Sequence, residues 1–229
     1  MKRDAHEPLM LGGEIRLEDL ESVARGRRKV ALSPETRAKI DASRGAIDRI
    51  AEAGDAAPHV YGVNTGFGHL SETRISATDI RALQRNLVRS HSTGVGNPLS
   101  IAETRGMMLL RAQVIALGHS GARSVLVDLL IEMLNRGVHP RVPSQGSVGA
   151  SGDLAPLAHL ALTMIGEGEA SFDPDGDSES QKGAEYTRIF LPSADCLKKA
   201  ALQQVSLEAK EGLALINGTQ MMASVGALA

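Results

Sequence analysis

Residues 146–170 read GSVGASGDLAPLAHLALTMIGEGEA. The first part holds glycines at 146, 149 and 152, and the rest turns abruptly apolar. Asp153 stands where a helix N-cap belongs, and Pro156 falls in the first turn, where its missing N–H costs nothing. The stretch therefore reads as a flexible turn feeding a helix over 153–168. No histidine, cysteine or paired carboxylate precedes that helix, so any chemistry in the turn belongs to the backbone and to Ser151.

Ala150-Ser151-Gly152 allows two readings. In one it is a plain turn, since an Ala-Ser-Gly tripeptide arises by chance in about one chain in ten of this length. In the other, the Gly152 nitrogen attacks the carbonyl of Ala150, whose oxygen leaves as water, and Ser151 loses its hydroxyl as a second water. The product is a five-membered ring bearing an exocyclic alkene, a strong electrophile. Flanking glycines give the backbone freedom to bend, and the following helix N-terminus aims its positive end at developing negative charge.

Working outward, helical signals dominate. Ser33, Pro34 and Gly54 bracket a helix. The segment 76–91 places Ile80, Leu83, Leu87 and His91 on one stripe. Ser100 with Glu103 forms a capping box for a helix whose apolar stripe runs Met107, Leu110, Val114, Leu117. Residues 122–137 make a helix ended by Gly137, and 193–202 and 206–219 supply two more. Residues 58–70, PHVYGVNTGFGHL, predict a short strand and a mobile loop. Residues 171–185, extending toward 190, are acidic and polar, and read as a solvated insertion with a hairpin tip. The run Arg25–Lys29 reads as a solvated turn or helix end.

Composition narrows the class. Hydrophobic residues make up 42% of the 229, charged residues 23% and aromatic residues 2%. A core this poor in rings is built from Leu, Ile, Val, Ala and Met, which favours helix packing and a mainly α fold. A formal net charge of −2 offers no basic face for nucleic acid. No apolar run is long enough for a signal peptide core or a membrane span. Cys196 stands alone, which excludes an internal disulfide and fits a reducing, cytoplasmic setting. His69, His119, His139 and His159 share no metal-ligand spacing with a carboxylate or thiolate, so no metal site is expected.

Residues 146–170, with YGVNTGFGHL (61–70), NLVRSHSTGVGNPL (86–99) and EGLALINGTQ (211–220), resemble the histidine and aromatic amino acid ammonia-lyases over essentially the whole chain. The resemblance implies the N-terminal part of that helical fold. It also implies that Ala150-Ser151-Gly152 cyclises autocatalytically to 5-methylidene-imidazol-4-one, MIO. Tyr61 matches the base that removes the substrate's β-proton, which otherwise reads as a strand tyrosine. His91 matches a position facing the substrate side chain. Ser90-His91 looks like the histidine-specific members, although some aminomutases also carry this histidine. Asn217 matches an asparagine beside MIO and the amino-acid end of the substrate, and otherwise reads as a helix C-cap before Gly218. Asp153 matches an acid that assists cyclisation or holds the loop.

The implied activity is nonoxidative elimination of ammonia from L-histidine to trans-urocanate. The alternatives are a tyrosine or phenylalanine ammonia-lyase, a 2,3-aminomutase, or a non-catalytic remnant. Family members are about twice this length and build each site from several subunits of a homotetramer. Residues 1–229 are thus expected to be the MIO-bearing domain, with the C-terminal helical bundle and its substrate-carboxylate arginine absent. A homotetramer or a complementing C-terminal chain is the expected partner, and little lyase activity is expected of this chain alone.

Overall fold

Helix-start signals in the sequence are used as written in the computed structural model, which describes residues 7–149, 152–176 and 188–229. The Ser33 hydroxyl accepts the Thr36 amide at 3.1 Å and opens α2 (Pro34–Glu52). Ser100 and Glu103 close a reciprocal capping box at the start of α4 (Ile101–Ala116). Gly137 ends α5 (Ser124–Arg136) in the left-handed conformation, φ 74°, which glycine adopts without Cβ strain. The remaining helices are α1 (Leu17–Ala24), α3 (Ile80–His91), α6 (Leu154–Met164), α7 (Ser193–Lys199), α8 (Glu211–Ile216) and α9 (Gln220–Leu228).

Three small sheets fasten the ends of these helices. β1 (Leu9–Leu11) pairs in parallel with β2 (Val30–Leu32) across α1. β3 (Val95–Pro98) and β5 (Pro143–Gln145) are antiparallel neighbours. β4 (Val138–Pro140), β6 (Glu169–Phe172) and β7 (Leu191–Pro192) form an antiparallel trio in that order. Among the described residues no helix is long and apolar enough to cross a membrane.

The core centres on α4, which packs against α1, α5 and α9. This corrects the single stripe expected of it. Met107 is buried, but so are Met108, Leu109, Ala112 and Ile115, whereas Leu117 is 43% exposed. A helix covered on several sides has no one apolar face. Gly106 lets α9 approach, because a Cβ there would lie 2.2 Å from the Ser224 hydroxyl. The buried Arg105 guanidinium donates to the carbonyls of Val23 and Leu134, groups left without helical partners at the ends of α1 and α5.

Four further expectations change. Residues 58–70 contain an isolated bridge, Thr65 to Arg74, and a 3-10 turn over Gly68–Leu70 in place of a strand. Asn64 is the reason: its side chain accepts the Val60 amide at 2.7 Å and donates to the Pro58 carbonyl at 2.9 Å, so the backbone is satisfied locally. Residues 62–66 are buried, so the segment is not a loose loop throughout. The basic run follows the end of α1 as expected but is solvated only in part: Arg25 and Lys29 are exposed, whereas Arg28 pairs with Asp19 at 3.0 Å with both side chains under 10% exposed, and Arg27 pairs with Asp173. The insertion after β6 does join two antiparallel strands, but Ser171 and Asp173 at its start are buried, and 177–187 lie outside the described residues. Finally, α8 begins only at Glu211. Its buried carboxylate takes the amides of Glu208 and Arg123, holding the chain before it in a turn.

Candidate functional site

The stretch 147–153 is held at both ends. The Val148 amide donates to the Gly152 carbonyl at 3.1 Å. Gly152 has φ +90°, a left-handed value that favours glycine. A Cβ there would meet the Gly218 carbonyl oxygen at 2.8 Å and Thr219 Cγ2 at 2.7 Å, so glycine is required by close approach as well. Ala150 and Ser151 themselves lie outside the described residues.

Asp153 is fully buried. It occupies the N-cap position of α6, as its place in the sequence predicts, but its carboxylate does not cap that helix. It accepts the Ser147 hydroxyl at 2.6 Å and the Met222 amide at 2.9 Å. Met222 is in the first turn of α9, so the carboxylate serves the N-terminus of a helix distant in sequence, where orphan N–H groups and the helix dipole favour a negative charge. The Asp153 amide completes the junction by donating to the Gly218 carbonyl at 2.8 Å.

Asn217 caps α8 by position, at φ −86° and ψ 106°, and Gly218 after it does not take up the left-handed conformation of a typical glycine cap. The Asn217 side chain is exposed, while its carbonyl accepts the Arg111 guanidinium at 2.8 Å. Gly218 and Thr219, next along the chain, lie directly on Gly152, and Gly218 on Asp153.

Tyr61 is placed from the other end of α8. Gly62 has φ +73° and packs where a Cβ would lie 2.8 Å from Leu213 Cδ2. The Gln84 amide oxygen accepts the Gly212 amide at 2.9 Å, tying α3 to α8. The Tyr61 ring is 49% exposed and meets Phe67 edge-on, with centroids 5.7 Å apart.

His91 sits in the last turn of α3, with Nδ1 2.9 Å from the Leu87 carbonyl. A carbonyl only accepts, so in the neutral ring Nδ1 carries the proton and Nε2 is left as an acceptor. The loop after His91 is fastened to α6: the Gly94 amide donates to His159 Nε2 at 3.2 Å. Burial, helped by the Arg141 charge, holds His159 below the usual imidazole range and keeps that acceptor neutral.

Of the residues proposed from sequence, the fold brings Gly152, Asp153 and Asn217 into one junction and docks the Tyr61 turn on the same short helix. His91 is linked to them through the packing of α3 on α6 and α8. Ser147, Arg111, His159 and the Met222 amide were missed. Their contacts here, Ser147 excepted, span from 65 to 106 residues of sequence, which no local pattern encodes.

Glycine is thus required at 152, and beside it the buried Asp153 carboxylate fixes the start of α9. A histidine ammonia-lyase from Sorangium cellulosum is 61% identical over 96% of this chain and 40% of the relative. The crystal structure of histidine ammonia-lyase from Trypanosoma cruzi matches at 37% identity and TM-score 0.82, over 97% of this chain and 40% of that one. Tyrosine aminomutase from Streptomyces globisporus matches at 35% identity and TM-score 0.83, over 97% and 39%. The chain thus spans about 40% of the length of these relatives. A sequence model of the family described as aromatic amino acid lyase matches residues 15–229, and the chain belongs to that family.

Proposed function

We propose that this chain carries the ring-forming part of a histidine ammonia-lyase, which eliminates ammonia from L-histidine to give trans-urocanate. The observation that carries the reading is the 61% identity to the Sorangium cellulosum histidine ammonia-lyase across nearly the whole chain. The buried frame around Gly152 and Asp153 supports it. MIO, made from Ala150-Ser151-Gly152, supplies the electrophile that takes the substrate's amine. Gly152 provides the nitrogen for ring closure and Asp153 holds the closing turn against α9. Tyr61, exposed on a turn with a fixed backbone, removes the β-proton. His91 orients the substrate, its free Nε2 accepting from the imidazole N–H. Asn217 presents its exposed amide to the amino-acid end. The C–N bond breaks as the β-proton leaves, so no oxidant is needed.

The rest of the pocket, including the group that binds the substrate carboxylate, comes from helices outside residues 1–229. They are supplied by a longer chain assembled as a cytoplasmic homotetramer or by a complementing chain. The likeness to a tyrosine aminomutase supports a second reading, an aromatic ammonia-lyase or 2,3-aminomutase on the same frame. Two measurements separate these. Intact mass reports ring formation as a deficit of two waters, and an unmodified mass identifies a non-catalytic remnant. Product analysis with histidine, tyrosine and phenylalanine, with the C-terminal helices supplied, separates urocanate from aryl acrylates and from β-amino acids. Turnover of tyrosine or phenylalanine in preference to histidine overturns the main reading.

A further inference from the structure

Arg111 lies in the middle of the fold, on the helix that forms its core. It is 2% exposed. Among the described residues no carboxylate acts on it, and its Nε has no hydrogen-bond partner. Burial alone pulls its pKa down to about 10. Taking a guanidinium out of water without a counter-charge is costly, and a fold retains it where the cation does something an apolar side chain cannot.

Its hydrogen bond runs from Nη1 to the Asn217 carbonyl, at 2.8 Å. The next carbonyl along the chain, that of Gly218, accepts the Asp153 amide at 2.8 Å. Two successive carbonyls therefore point to two different masters, one a buried cation and the other the residue that ends the ring-forming turn. Gly218 makes this possible: a Cβ there would lie 2.9 Å from Arg111 Nη1 and 2.1 Å from Gln220 Oε1. Gln220 Oε1 is buried and also lacks a partner. The guanidinium thus sits close under the 217–218 backbone, with spare hydrogen-bonding capacity on both sides of it.

We propose that Arg111 is a positioning residue for ring formation: by fixing the Asn217–Gly218 backbone, it sets the strut from which Gly152 and Asp153 hang. It acts through that strut and touches neither substrate nor the reacting atoms. The maturation part of this claim rests on the reading of residues 150–152 as ring-forming, and the positioning part does not.

The test compares the 229-residue chain with its Arg111→Met and Gly218→Ala variants. The second variant keeps the charge and displaces it, so the test survives if the first folds poorly. Amide exchange is followed at Asp153 and, as a control, at Leu130 inside α5, and the two-water mass deficit is followed with time after folding. Loss of a charge-assisted hydrogen bond predicts exchange at Asp153 faster by about tenfold or more. Exchange at Leu130 should be unchanged, and the mass deficit should appear more slowly. Unchanged exchange at Asp153 overturns the proposal, as does an equal rise at Leu130, which marks general loosening. If the unaltered chain never shows the mass deficit, the ring-forming reading fails, and exchange at Asp153 still decides whether Arg111 positions the turn.

Discussion

The turn at 147–153 and the loop at 58–70 look alike as sequence, both rich in glycine and short of regular structure. The fold fixes the backbone of each, by Asp153 and Gly218 in one and by Asn64 and the α8 contact of Gly62 in the other. They differ in what they turn outward. Asp153 is fully buried and holds backbone in place, whereas Tyr61 is 49% exposed, as the proposed function requires of a group that meets a substrate. A group that organises must be desolvated and fully bonded, and a group that reacts must be reachable. Changes in the first region should therefore be felt as stability, and changes at Tyr61 as chemistry.

The sharpest way to break this contrast is Asp153→Ala. It leaves the Met222 amide and Ser147 hydroxyl without their acceptor, and should cost about 3 kcal/mol in urea unfolding. A loss under 1 kcal/mol would show that the junction is not held by this carboxylate. Gly62→Ala tests whether the second region is equally fixed. A non-glycine residue at φ +73° against Leu213 should cost about 2 kcal/mol, and no loss would mean a yielding loop.

A smaller effect comes from pH. His159 is held below the ordinary imidazole pKa by burial first and Arg141 second, while its Nε2 accepts the Gly94 amide. A base with a depressed folded pKa contributes stability above the unfolded value, about 6.5, and loses it as pH falls through the folded one. Exchange at the Gly94 amide, corrected for intrinsic rate, should therefore rise on acidification below about pH 6.5. In His159→Gln, which keeps an acceptor without titrating, that rise should be absent. The smallest change in stability belongs to Tyr61→Phe, within about 0.5 kcal/mol. The same variant should still form the ring but lose about 100-fold or more in turnover once the C-terminal helices are supplied. Loss of the mass deficit in Tyr61→Phe would merge the two regions into one function.

Local signals were legible where neighbours in sequence settle the matter. The caps at Ser33 and Ser100 and the stop at Gly137 take the forms their residues dictate. They failed where distant contacts decide. The α4 stripe was misplaced because α1, α5 and α9 cover that helix on several sides. The start of α8 was misplaced because Glu211 spends its carboxylate on the turn before it. The expected strand at 58–70 gave way to the side chain of Asn64. Asp153 was correctly read as standing at a helix start, but the helix its carboxylate serves is α9, 69 residues from it to Met222. The clamp on Gly152 and Asp153 was not legible, since Gly218 and Arg111 come to them only through the fold.

The central claim is that Ala150-Ser151-Gly152 becomes the reagent. Tandem mass spectrometry of the proteolytic peptide spanning 146–160 tests it directly. A deficit of two waters confined to residues 150–152 and lost in Ser151→Ala is expected. An unmodified peptide from correctly folded chain would contradict it.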